Sequence, residues 1–199
     1  RLVTSSPTRR RDYLDSVFTT TEWRYVSALS QYNRALKHRN VLLDQIKLGQ
    51  NTKNELFYWD QSIIKNAEII QDYRQRFIAS VNHFFSSHPE EEIRQIGLNY
   101  QLSFITPEKL QKNYLLDLER GFTQAGPHRD DFSITNSQFS AADKNLAFWG
   151  SRGQQRLAVL ALRLAQINYL EATYHQKPLL LLDDIFSELD ENHRKTVTE

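Results

Sequence analysis

Gly150-Ser151-Arg152-Gly153-Gln154-Gln155-Arg156 and Leu179-Leu180-Leu181-Leu182-Asp183-Asp184-Ile185-Phe186-Ser187-Glu188-Leu189-Asp190 decide how this chain folds. The first stretch is a small, flexible turn that runs straight into an apolar helix. Leu157, Leu160, Ala161, Leu164, Ala165 and Asn168 share one helical face, and Val159 and Leu162 broaden it, which predicts a mostly buried helix from Gln154 to about Thr173. Pro178 punctuates. The four leucines that follow read as a strand buried on both faces of a parallel sheet. That strand delivers two carboxylates and then a turn.

Both pieces suit phosphate chemistry. At the start of a helix, a Ser hydroxyl, a guanidinium and free backbone N–H groups converge on one point, which makes an anion site. The bland reading of Ser151 is an ordinary N-cap. Four apolar residues followed by Asp-Asp is the Walker B pattern, in which the first acid holds Mg²⁺ and the second orients or deprotonates the attacking water. Any buried strand ending in acids would match it alone. The order is more specific than either piece, because Ser187-Glu188-Leu189-Asp190 follows at once. This order resembles the second half of an ABC-type ATPase head: signature motif, Walker B, D-loop.

The rest of the chain adds an arm. Ser5-Ser6-Pro7-Thr8 is a helix start, followed at once by Arg9, Arg10 and Arg11, candidates for contact with DNA or a partner. Thr19-x-x-Glu22 and Thr52-x-x-Glu55 read as capping boxes. Between and after them, Tyr25, Leu29, Tyr32, Leu36, Arg39, Leu43, Ile46 and then Leu56, Trp59, Ile63, Asn66, Ile70, Tyr73, Phe77, Ser80, Phe84 step by four and three. Two such seams around a polar turn predict an antiparallel helical hairpin. Each arm of ~25 to 30 residues would be about 40 Å long at ~1.5 Å per residue. Arg34, Lys37 and His38 lie off the seam on one face and are further candidates for phosphates or an acidic partner.

Beyond His88-Pro89, the stretch 93–105 alternates, and its second half, with Tyr100, Leu102 and Phe104 on one side, reads as a strand. Thr106-Pro107 opens a helix with a stripe of Leu110, Tyr114, Leu115 and Leu118, up to Gly121. Phe132-Ser133-Ile134 is a short strand, Asn136-Ser137 a turn, and Phe139 opens a return strand. Gly126-Pro127-His128-Arg129-Asp130-Asp131 raises the thought of a metal. Neighbouring side chains on an extended segment point to opposite faces, so His128, Arg129 and Asp130 read instead as a structural or switch-like salt-bridge cluster.

Composition fits this picture. The 199 residues are 40% hydrophobic and 25% charged with a net charge of +1, so nucleic-acid contact must come from local basic patches. The absence of Cys excludes disulfides and Cys-ligated zinc. No apolar run approaches the ~18 to 20 residues that span a bilayer; the expectation is a cytoplasmic protein with no membrane partner. With Arg at residue 1 and no Met, the chain reads as a piece of something longer.

Gly126 to Asp131, Ser151 to Arg156 and Leu179 to Asp190 are similar to the RecF family of bacterial DNA-repair proteins. So is Arg9-Arg10-Arg11-Asp12-Tyr13-Leu14-Asp15 followed by a hairpin, and the likeness covers nearly the whole chain. It implies a mixed, helix-rich α/β fold: the C-terminal part of an ABC/SMC-type ATPase head at 91–199 and an antiparallel hairpin arm at 1–90. It implies ATP and Mg²⁺ as cofactors, slow DNA-dependent hydrolysis, a homodimer formed on ATP, and loading of recombinase at gapped DNA with RecO and RecR. Asp183 would be the Mg²⁺ carboxylate and Asp184 the residue poised on the water. Ser151, Arg152, Gly153 and Gln154 would meet the γ-phosphate held by the other subunit, and Ser187 and Asp190 would sit at the dimer seam. No Gly-x-x-x-x-Gly-Lys-Ser/Thr occurs, so the expectation is that this chain alone is inactive. Two other readings are a related SMC or ABC head, and a non-enzymatic DNA- or partner-binding module.

Overall fold

The computed structural model describes residues 2–140, 144–175, 178 and 179. The chain divides into two compact units, each drawn from separated stretches.

One unit comprises Ser6–Arg76 and Tyr100–Phe132. Helix α1 (Pro7–Phe18) starts where Ser6 caps it and Pro7 occupies its first turn. Helix α2 (Trp23–Lys47) and the long helix α3 (Leu56–Ser87) follow. The turn between them carries the Thr52/Glu55 capping box on a 3₁₀ turn at Lys53–Glu55. As α2 advances from Tyr25 to Arg39, its partners on α3 recede from Arg74 to Asp60, which is the antiparallel hairpin. Tyr25, Ala28, Tyr32, Ala35 and Leu43 of α2 and Leu56, Ile63, Ala67 and Ile70 of α3 are all buried. Phe18, Tyr25 and Tyr73 form an aromatic knot with centroids 4.8 to 5.6 Å apart. Helix α5 (Pro107–Arg120), capped by Thr106, completes the unit with a 3₁₀ turn at Pro127–Arg129.

The second unit comprises Phe77–Asn99, the described residues from Ser133 onward, and the N-terminal stretch up to Ser5. After the single-turn helix α4 (Glu91–Arg94), strand β1 (Ile96–Gln101) pairs with β2 (Asp131–Asn136). Ser137 N–H reaches Gln95 O while Thr135 Oγ reaches Gly97 O, so one strand advances as the other recedes and the pair is antiparallel. The Asn82 side chain grips β1 at both polar groups of Leu98, at 3.0 and 2.7 Å. Short α6 (Leu146–Trp149) leads to α7 (Arg152–Tyr174), which buries Leu157, Ala158, Leu160, Ala161, Leu162 and Ala165.

Five local expectations are corrected. Thr19 and Glu22 make no capping box: Thr19 ends α1 with its N–H on Asp15 O, and Glu22 accepts instead from Tyr73 Oη at 3.0 Å. In α2 the small residues Ala28 and Ala35 are buried where Leu29 and Leu36 are half-buried, because Tyr25 and Tyr32 fill the space beside them. The strand begins at Ile96 and ends at Gln101, leaving Leu102 and Phe104 exposed. In α5 Leu115 is exposed while Asp117 is buried, because Asp117 has a buried cation to meet. The return expected at Phe139 is only a single bridge between Thr135 and Asn145.

Candidate functional site

Two constellations stand out, one in each unit. The first is the turn at Gly150–Gln154. Asn145 caps α6 by accepting from Ala147 N–H at 2.9 Å. Gly150 ends α6 in a place where an added Cβ would lie 2.8 Å from both Leu146 Cδ2 and Leu146 O, so only glycine fits the close return of the chain. Ser151 then caps α7. Its Oγ accepts from Gln154 N–H at 3.2 Å, and Gln154 Oε1 accepts from Ser151 N–H at 2.9 Å. Gln155 holds the turn from behind, its Nε2 donating to Leu146 O at 2.8 Å and Gly150 O at 3.1 Å. The result is a rigid frame that leaves Ser151, Arg152 and Gly153 exposed. First-turn amides of an α-helix have no intrahelical acceptor, so this end offers N–H groups, a hydroxyl and a guanidinium together. Those donors fit a phosphate. The residues that make the ordinary cap are the same ones that present these donors.

Asp183, Asp184, Ser187 and Asp190 lie outside the described residues.

The second constellation surrounds Asp130, which is fully buried. Its Oδ1 accepts from Ser103 N–H at 2.7 Å and Gln71 Nε2 at 3.0 Å; its Oδ2 accepts from Tyr100 Oη at 2.5 Å and Arg74 Nη1 at 3.2 Å. Arg74, itself buried, donates onward to Asp15 at 2.7 Å, to Pro127 O at 2.9 Å and to Tyr25 Oη at 3.2 Å. Tyr25 in turn donates to Asp15. Burial pushes both the Tyr100 and Tyr25 phenols up from their ordinary value, so both remain donors. A parallel knot joins Arg39, also buried, to Asp60 at 2.7 Å and to Asp117 and Thr123 at 2.8 Å.

The three residues of the expected switch cluster therefore part ways. Asp130 faces the interior. Arg129 faces solvent, its guanidinium 5.0 Å from the Phe122 ring centroid. His128 lies between Thr123 O at 3.0 Å and Tyr32 Oη at 2.7 Å. A carbonyl only accepts, so Nε2 carries the proton and Nδ1 accepts from Tyr32. Burial holds this imidazole down at about 4. Among the described residues no group of acids and histidines can hold a metal ion. Nor, among those residues, is any helix long and apolar enough to cross a membrane.

The expected basic contacts divide too. Arg10 makes a two-bonded ion pair with Asp131, at 2.6 Å each, and Arg11 donates to Asp130 O at 3.0 Å and to Thr8 Oγ1 at 3.1 Å. Arg9, Arg34 and Lys37 are exposed, and His38 stacks on Trp59 at 4.3 Å. Sequence reasoning missed Gln71, Arg74, Asp15 and Asp117. The one signal for them was polar residues on buried helical stripes, as Arg39 sits in the α2 seam.

A helical hairpin, a small antiparallel sheet and an exposed Ser-Arg-Gly turn at the head of a long apolar helix define the class: a helix-rich α/β fold of the ABC/SMC ATPase-head type with a hairpin arm. No family model matches the chain. A DNA replication and repair protein RecF from Thermoanaerobacter sp. (strain X514) is 35% identical over 211 residues, covering 100% of this chain and 57% of the relative. The same-named protein of Herpetosiphon aurantiacus is 35% identical over 206 residues, covering 98% and 52%. A solved chain described as the recombination mediator protein RecF with ATP, in the RecFOR pathway, superposes with a TM-score of 0.82 at 30% identity, over 98% of this chain and 55% of its own length. In sequence and in fold the chain is RecF-like along its whole length. It spans about half the length of the relatives it matches.

Proposed function

We propose that this chain serves a DNA-binding ABC-type ATPase of recombinational repair, in which nucleotide binding drives two copies together on DNA. The observation that carries the proposal is the exposed Ser151-Arg152-Gly153 turn, framed by Gln155 at the start of α7. A phosphate donor set on a surface is of use when the phosphate arrives on another molecule. In this reading Ser151, Arg152, Gly153 and Gln154 meet ATP held by the second copy, and Arg152 adds charge stabilisation there. Asp183 holds Mg²⁺, Asp184 faces the water, and Ser187 and Asp190 line the seam. Hydrolysis is slow, as suits a switch.

The reading is supported by the likeness to a RecF chain solved with ATP and described as a recombination mediator. RecO- and RecR-like proteins, gapped DNA and the cytoplasm are the proposed partners and place. The arm lies within residues 1–90 and the head part within 91–199. The test is Ser151→Arg in the full-length protein. ATP-driven dimerisation, read by analytical ultracentrifugation, is lost, while ATP binding to each monomer is kept. Loss of both together overturns the reading.

A further inference from the structure

A cleft opens beside the first turn of α5, and its rim carries Leu102, Phe104, Glu108, Lys109, Lys112 and Arg129. We infer that this cleft is a docking groove for single-stranded nucleic acid, with Lys109, Lys112 and Arg129 on the phosphates and the Phe104 ring beneath a base. The inference rests on the DNA-binding part of the reading above and gives it a surface.

Arg10, Arg39 and Arg74 are committed to internal carboxylates and Arg11 to Asp130 O. Lys109, Lys112 and Arg129 take part in no ion pair among the described residues. One acid faces the three cations. Glu108 lies at the start of α5, where its own backbone N–H and the Thr106 hydroxyl hold its carboxyl below the usual range. The helix end is thus already occupied by a carboxylate, and an incoming phosphate must be met by the cations.

The apolar component favours a base-bearing polyanion over an acidic protein. Phe104 is 61% exposed, and Arg129 is poised on Phe122. Exposed rings interleaved with cations form a stacking platform that tolerates any base. The platform is preorganised, because the backbone next to Phe104 is pinned. Ser103 N–H donates to Asp130, Ser103 O accepts from Gln71 at 3.1 Å, and Gly126 N–H reaches the same carbonyl at 3.1 Å. Arg129 directly precedes Asp130. The buried hub therefore anchors the backbone beside both Phe104 and Arg129.

The experiment measures binding of a fluorescein-labelled oligo-dT to full-length protein without nucleotide, as a function of salt. Replacing Lys109, Lys112 and Arg129 together by Gln should lower the slope of log K against log salt by about 2, at ~0.7 per phosphate contact on a single strand. Phe104→Ala should weaken binding by about fivefold or more with the slope unchanged. Glu108→Gln should tighten binding. An unchanged slope in the triple variant, a slope that falls instead with Arg34→Gln/Lys37→Gln, or competition by polyglutamate as effective as by unlabelled oligo-dT overturns the inference. Because no ATP is present, failure here leaves the nucleotide switch standing, and failure of Ser151→Arg to block dimerisation leaves the groove standing.

Discussion

Replacing Arg74 by Met tests how much of this fold rests on its buried charges. The straight aliphatic side chain keeps most of the volume and removes the guanidinium. Four acceptors lose a donor at once: Asp15, Pro127 O, Tyr25 Oη and Asp130. Asp130 keeps hydrogen bonds from Ser103 N–H, Gln71 and Tyr100 but loses its cation. Breaking one side of a buried pair costs about 3 to 5 kcal/mol, because the other charge stays behind uncompensated. Asp130→Asn leaves Arg74 still paired with Asp15 and should cost less, roughly 2 kcal/mol. If the two residues act through each other, the double variant costs about as much as Arg74→Met alone, giving a coupling of at least ~1.5 kcal/mol. Urea denaturation followed by circular dichroism reads all four corners of this cycle. Costs that add within ~0.5 kcal/mol, or an Arg74→Met that loses under ~1 kcal/mol, would refute the reasoning.

Two further outcomes are expected. His128 is held at about 4 against an unfolded value of 6.5, so between those values the unfolded chain binds more protons. Stability is complete above the unfolded value and falls, by up to roughly 3 kcal/mol, as pH drops from 6.5 toward 4; His128→Gln should flatten that slope in melts run across the window, and an unchanged slope counts against it. Gln155→Leu removes both bonds that hold the turn at Gly150 and should impair nucleotide-driven dimerisation of the full-length protein more than tenfold with monomer ATP affinity unchanged; rescue of dimerisation without those bonds would show that the frame is dispensable.

The hairpin, its lower turn and the caps at Ser6, Thr52, Thr106 and Ser151 were legible in the sequence, because each rests on local spacing. The capped turn at Gly150–Gln154 was legible for the same reason, as its parts are consecutive. Asp130 was singled out, but its true partners were not, since Arg74 lies 56 residues away and Asp15 a further 59 from that Arg. No periodicity encodes such a pairing. Thr19-x-x-Glu22 matched a capping pattern and lost to a long-range contact, the Tyr73 hydroxyl on Glu22. The failure at Leu115 and Asp117 has one cause: a stripe was read as apolar where a buried Arg39 made room for an acid.

The division of the chain into interleaved units also bears on how it is made. Arg10 waits for Asp131, 121 residues later, and Arg39 for Asp117, 78 residues later. At ~5 to 20 residues per second on a ribosome, Arg10 spends several seconds without its carboxylate, while Arg39 has Asp60 within the hairpin but waits for Asp117. During that interval α1 and the hairpin have their aromatic knot and the pairs Arg39–Asp60 and Arg74–Asp15, but not the carboxylates of Asp117, Asp130 and Asp131. The segment Phe77–Asn99, which belongs to the other unit, emerges in between. The unit rich in buried ions is therefore closed late, and translation past Phe132 is the event that locks it.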